Sequence, residues 1–393
     1  MKYNFDEVIN RRNTDSIKWD ARELIKKAGI TERFDDESIP LFVADMDFAC
    51  PQPVIDALHK RVEQKIFGYT SERISPDYNT AVKNWFSRRM NWQIRDEEIV
   101  YCPGTVHALH LAVKAYTNPG DGIIIQPPVY APFTQAIEKN GRKVVNNELI
   151  NTDGYYTINF EDLASKAAIE TTTMMILCSP HNPVGRIWNP VELAKITDIC
   201  RRNNVILVSD EIHGDLIRAG QTFYPIATVS DYEKMIVCTA INKTFNVAGL
   251  HCSNIIIKNE ELRLKFRHEL GLSSPSPFSI SALLAAYNES EDWLEQLKEY
   301  IDGNFDLLEE FLQEKLPKVK YRRPEGTYIA WLDFSGYGLS PAEVHKKIYA
   351  DANVILEDGK IFGEKSAEFQ RICLPTPRPV LCEAFDRIGK VFQ

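Results

Sequence analysis

The sequence lacks the features that mark several protein classes. No apolar run approaches the roughly 18 residues needed to span a bilayer. The opening Met1-Lys2-Tyr3-Asn4-Phe5-Asp6-Glu7 has no apolar leader region. Membrane insertion is therefore not expected, and a cytoplasmic location is the default. Basic residues are in deficit: 46 Lys and Arg against 55 Asp and Glu give a net charge of −9. A general nucleic-acid binder would be basic. A small anionic ligand is not excluded, because a few local groups can hold a phosphate on an acidic protein. Only eight cysteines occur in 393 residues, with no CxxC pair, too few for a disulfide scaffold. Reduced, buried thiols are expected. Internal repeats, low-complexity tracts and long linkers are also missing. No GxGxxG follows a first strand, which argues against a nicotinamide-dependent oxidoreductase.

What is present is an ordinary folded-protein composition, 44% hydrophobic and 26% charged. At roughly 100–200 residues per domain, the length suits two or three domains. Short apolar runs lie at 122–126 (GIIIQ), 173–178 (TMMILC), 205–209 (VILVS), 235–239 (MIVCT) and 254–257 (NIII). They are continuous rather than alternating, as expected of strands buried on both faces of a helix-covered, largely parallel sheet. Helical patterns fall between them at 106–116, 190–203 and 260–270. Asn189-Pro190 is a start signal for the second: a capping residue followed by proline in the first turn. Such repetition predicts an α/β domain. Residues 281–315 read as helical with acidic clusters, of which 289–299 is expected to be a solvated face. Residues 318–334 read as two strands around Pro324-Glu325-Gly326, and 341–351 and 379–392 as helices. The expected organisation is a large α/β domain over 49–280, with a mostly parallel sheet sandwiched by helices. A small α+β domain follows over 281–393, and residues 1–48 pack across both.

In such sheets, ligands sit beyond the carboxyl ends of the strands. Polar groups recur there: Tyr130 after the first run, Ser179-Pro180-His181-Asn182 after the second, Asp210-Glu211-Ile212-His213 after the third, Asn242-Lys243 after the fourth. The set has a chemical logic. A lysine in a low-dielectric cleft can lose its proton and form an imine with an aldehyde. A carboxylate such as Asp210 can keep a pyridine nitrogen protonated, so that the ring acts as an electron sink. Asn182 and His213 are placed to donate to a ring oxygen, and Tyr130 to stack on the ring face. A phosphate needs backbone N–H groups at a helix start. Gly104, Thr105 and Val106, opening the first helix, offer them. Together these point to pyridoxal 5′-phosphate (PLP) held by Lys243.

The sequence resembles the fold-type I PLP enzymes of the class I/II aminotransferase superfamily, over nearly its whole length. The resemblance is carried by NPVG at 182–185, SDEIH at 209–213, NKTFNVAGL at 242–250, the lysine 33 residues after the aspartate, and the late Arg371. It implies that Lys243 is the catalytic lysine. It implies that Arg371 clamps the substrate α-carboxylate, for which its planar fork is suited, with Asn182 and Tyr130 also near the substrate. It implies that Tyr69 reaches the phosphate of a neighbouring subunit, and hence a homodimer with shared sites. A narrower resemblance is to the MalY/PatB group of cysteine-S-conjugate and cystathionine β-lyases. Val43-Ala44-Asp45-Met46-Asp47-Phe48, Asp15-Ser16-Ile17-Lys18-Trp19-Asp20, His213 and Gly271-Leu272-Ser273-Ser274-Pro275-Ser276 carry it. It implies cleavage of a cysteine thioether to pyruvate, ammonia and a thiol. Aminotransferases usually have tyrosine at position 213, arginine at 251 and serine at 240. Here His213, His251 and Ala240 stand there, which implies a less cationic phosphate site.

Bland readings compete with these roles. The competing structural roles are a helix cap for Asp210, a satisfied core histidine for His213, plain core for Tyr130, a surface aromatic for Tyr69, a surface ion pair for Arg371 and loop caps for Asp45 and Asp47; the agreement of the whole set favours the cofactor roles for Lys243 and Asp210. The alternative activity is amino transfer, since fold alone does not choose a reaction. A regulatory protein keeping a PLP fold is a third reading, opposed by the intact Lys243, Asp210, Asn182 and Arg371.

Overall fold

A computed structural model describes residues 2–393. Its centre is a seven-stranded sheet in the order Ile99–Cys102, Ser253–Ile256, Met235–Ala240, Ile206–Asp210, Thr172–Cys178, Gly122–Ile125, Lys143–Asn146. The last five run parallel, and Ser253–Ile256 is antiparallel to both of its neighbours. The continuous apolar runs follow from burial on both faces. Met174, Ile176 and Cys178 join one core cluster with Val208, Ile236 and Cys238. Met175 and Leu177 face the other cluster with Leu207 and Val237. Each such side chain contributes about 1.5–3 kcal/mol when fully buried. Helices Thr105–Tyr116 and Glu260–Leu270 pack together on the first face. Pro190–Arg202 begins where Asn189 predicts: the Asn189 side chain accepts from Val191 and Glu192 N–H, and Glu192 reaches back to complete a capping box.

Toward the C-terminus, Pro277–Glu289 and Glu291–Lys315 are separate helices. The acidic run on them is not simply a solvated face. Glu291 and Glu295 pair with Arg89, while Trp293, Leu294 and Leu297 turn inward. A second, antiparallel sheet has the order Lys320–Tyr321, Ile329–Asp333, Phe369–Cys373, Glu357–Asp358. The helix expected over 341–351 is Pro341–His345 continued by a widened π turn, Lys346–Asp351. The N-terminal segment crosses this sheet. Ile39–Pro40 pairs with Val354–Ile355, Leu41 O accepts from Cys373 N at 2.9 Å, and Asp47 N donates to Pro375 O at 2.9 Å.

Among the described residues no cysteine is in a disulfide. Six are buried as expected, but Cys50 is only partly covered and Cys382 is exposed. No helix among them is long and apolar enough to cross a membrane.

Candidate active site

Parallel pairing sets three strand ends in line: Asp210 lies opposite Cys178 on one side and Cys238 on the other. Asp210 is 4% exposed, and its carboxylate accepts one long backbone bond, from Ile212 N at 3.4 Å. Burial pushes this carboxyl up to about 7, opposed by the Ile212 N–H and by Lys243. A buried acid with so little compensation is suited to a strong cationic donor from a ligand. One turn on, the buried His213 packs edge-on to the Tyr328 ring at 5.5 Å. Burial, with Lys243 and Arg371 nearby, pulls His213 down to about 3, so its ring is neutral at neutral pH. Among the described residues its Nδ1 has no partner.

Lys243 sits on the single turn Ile241–Thr244 that follows the next strand. That turn is pinned from beneath: Thr244 Oγ1 donates to Asp215 at 3.1 Å, and Asp215 also accepts from Trp85 and Arg89. Lys243 Nζ donates to the Ala44 carbonyl at 2.5 Å. Burial lowers the pKa of Lys243, against the pull of Asp45, Cys373 and Asp210, with Arg371 adding to the lowering. A lysine so placed more readily supplies the free amine needed as nucleophile and base.

The second sheet supplies the other wall. The Arg371 guanidinium is 3% exposed. Its Nη1 donates to Asn182 Oδ1 at 3.4 Å, Nη2 donates to the Phe42 carbonyl, and Glu357 forms an ion pair with it. Burial works against its charge, yet Glu357 and the surrounding groups hold Arg371 above the ordinary arginine range. Tyr130 faces the same space. Burial raises its hydroxyl to about 12, with Arg371 opposing and Asp210 and Glu357 adding. The structure thus brings Lys243, Asp210, Asn182, His213, Tyr130 and Arg371 together.

The phosphate candidates lie at one helix start. Thr105–Tyr116 begins with Gly104 at its N-cap, without a side-chain cap. A Cβ at Gly104 would meet nothing within 4 Å, so the start of this helix is open at Gly104. Asn242 Oδ1 is buried without a partner, whereas His251 is exposed. Tyr69 is 109% exposed, and this chain alone does not bring it to the other residues. An aldehyde cofactor with a ring nitrogen and a phosphate fits these observations. The under-compensated Asp210, the orphaned His213 nitrogen and the open helix start each leave a bond for it to make.

Sequence reading missed Glu357, Tyr328 and the Ala44 carbonyl. Tyr328 OH donates to the same Ala44 oxygen at 2.8 Å. It also missed what Asp45 and Asp47 do. Asp47 accepts from Lys18 at 2.7 Å, Arg11 and Trp19 at 2.8 Å and Thr376 at 3.0 Å, and Lys18 is fully buried. Asp45 pairs with Arg11 at 2.7 Å. These contacts join residues far apart in sequence, and no local pattern announces them.

The chain is also similar to known proteins. The chain is 43% identical over 377 residues to cystathionine beta-lyase PatB of Bacillus subtilis, covering 94% of each. Its fold superposes on cystalysin from Treponema denticola, whose crystal structure contains a pyridoxal 5′-phosphate cofactor. The TM-score is 0.94 at 36% identity, covering 100% of this chain and 99% of that one. The PLP-bound C-S lyase from Staphylococcus hominis gives a TM-score of 0.92 at 36% identity, over 100% and 98%. Residues 36–388, which include Asn182, Asp210, Lys243 and Arg371, match the family described as aminotransferase class I and II, and the chain belongs to that family.

Proposed function

We propose that this chain is a PLP-dependent carbon–sulfur β-lyase of the cytoplasm that takes L-cystathionine or a related cysteine thioether to pyruvate, ammonia and a thiol. The observation that carries the chemistry is the Lys243 amine, its pKa lowered by burial, among Asp210, His213 and Arg371. The 43% identity to a cystathionine beta-lyase along nearly the whole chain supports elimination over amino transfer.

When bound, PLP supplies an electron sink for negative charge at the substrate Cα. The rest is done by side chains. Lys243 would hold the cofactor through its amine, and Asp210 would meet the ring nitrogen. Asn182 and His213 would lie at the ring oxygen, Tyr130 at the ring face, and Gly104, Thr105 and Val106 at the phosphate. Arg371 binds the substrate carboxylate, which fixes Cα beside Lys243. The Lys243 amine, when free, would take the Cα proton. The thiolate then leaves from Cβ, and water hydrolyses the released 2-aminoacrylate to pyruvate and ammonia. The active unit is a homodimer in which the outward Tyr69 reaches the phosphate of a second copy. The exposed Ile66 and Phe67, which precede Tyr69 in the chain, support that reading.

Purified protein with PLP and L-cystathionine is expected to release pyruvate and thiol in equal amounts. Release of neither overturns the reading.

A further inference from the structure

Arg371 lies on Phe369–Cys373, directly opposite Glu357 on the edge strand Glu357–Asp358. Opposed residues of adjacent strands present their side chains to one face. The Glu357 carboxylate accordingly rests against Arg371 Nη2 as an ion pair, Arg371 being 3% exposed and Glu357 25%. The rest of the guanidinium is less well served. Nη1 reaches Asn182 Oδ1 only at 3.4 Å, and the buried Nε–H has no partner. A guanidinium carries five N–H donors. Among the described residues its ion-pair partner is Glu357, an acid from its own chain, while the Nε–H is left idle.

We propose that Glu357 is an internal counter-anion for Arg371, occupying it in the free site and yielding it to the substrate carboxylate. This rests on the reading of Arg371 as the carboxylate anchor. A buried guanidinium without an anion is costly. Glu357 meets that cost before substrate arrives. Two carboxylates on one guanidinium repel each other, so an incoming carboxylate has to move or neutralise Glu357. Its place on an edge strand and its part-exposed side chain leave room for that movement. Glu357 is thus a positioning residue that sets how tightly the site takes carboxylates.

The test uses the holoenzyme and 3-(methylthio)propanoate, which has the carboxylate and thioether of a substrate but no amine. Calorimetric titration of Glu357→Gln should show binding about tenfold tighter than wild type. Glu357→Ala should shift in the same direction. For L-cystathionine, KM should fall by a larger factor than kcat changes. The gain should vanish in an Arg371→Lys background. Equal or weaker binding in both Glu357 variants overturns the proposal. If Arg371→Lys alone binds as tightly as wild type, the anchor reading fails and the proposal falls with it. If binding behaves as expected but no thiol is released from L-cystathionine, the lyase reading alone fails and the role of Glu357 stands.

Discussion

Lys243 and Tyr328, 85 positions apart in the chain, donate to one acceptor, the Ala44 carbonyl, at 2.5 and 2.8 Å. The carbonyl belongs to the N-terminal segment, which Asn246 also grips through Met46 and Phe48. Three distant stretches therefore meet at the Lys243 amine, which the proposed mechanism uses as nucleophile and base. Tyr328→Phe removes one of the two donors. It should lower unfolding free energy by about 1 kcal/mol in urea titration. An unchanged midpoint would show that this bond contributes nothing.

Lys243→Ala should reduce thiol release by at least about a thousandfold, because it removes the base. Borohydride treatment of wild type with PLP should fix the cofactor mass on the peptide carrying Lys243. The variant should show no such increment. Wild-type-like turnover in Lys243→Ala would remove this residue from the mechanism.

The Asp47 knot predicts a large stability effect. Asp47→Ala takes the closest carboxylate from the fully buried Lys18 ammonium and leaves it only Asp45, 3.9 Å away. The expected loss is roughly 3–5 kcal/mol. Lys18→Met combined with Asp47→Leu should recover much of it, because no unpaired charge then remains. A double variant as unstable as Asp47→Ala would show that packing, rather than the stranded charge, is responsible.

Asp210 predicts a pH dependence with a definite sign. Without cofactor its folded pKa is raised to about 7, above the ordinary aspartate value. Such a group favours the folded state at low pH, and that contribution is lost as pH rises through about 7. Asp210→Asn does not ionise. The cofactor-free variant should therefore match wild type near pH 4 and exceed it at pH 8, by on the order of 4 kcal/mol. Adding PLP should reverse the order, since only the carboxylate can pair with the ring nitrogen. A constant difference across the range would contradict the assignment.

Tyr69 predicts complementation. Mixing Tyr69→Ala and Lys243→Ala chains should form hybrids with one intact site, because each site would take its lysine and its tyrosine from different copies. Activity should reappear on refolding the two together. Continued inactivity of the mixture would place Tyr69 outside the shared site.

Much of the fold was legible because burial on both faces writes an unbroken apolar run, as at Thr172–Cys178. The edge strand Lys143–Asn146 was not, since its two valines are only half-buried and its ends are exposed. Nor does an apolar run carry direction, so the antiparallel Ser253–Ile256 was not foreseen as such. Asp210 and Lys243 stood out as polar residues placed directly after buried strands. Glu357 did not, because its meaning comes from the strand it pairs with rather than from its neighbours in sequence. The Ala44 carbonyl is a backbone atom, and residue identity says nothing about it.

The most direct measurement is a partition in one reaction: holoenzyme, L-cystathionine and an added 2-oxo acid, following thiol, pyruvate and the new amino acid together. Thiol and pyruvate rising in equal molar amounts, with the 2-oxo acid untouched, is the expected result. Conversion of the 2-oxo acid to its amino acid without thiol release would contradict the lyase assignment and make the protein an aminotransferase.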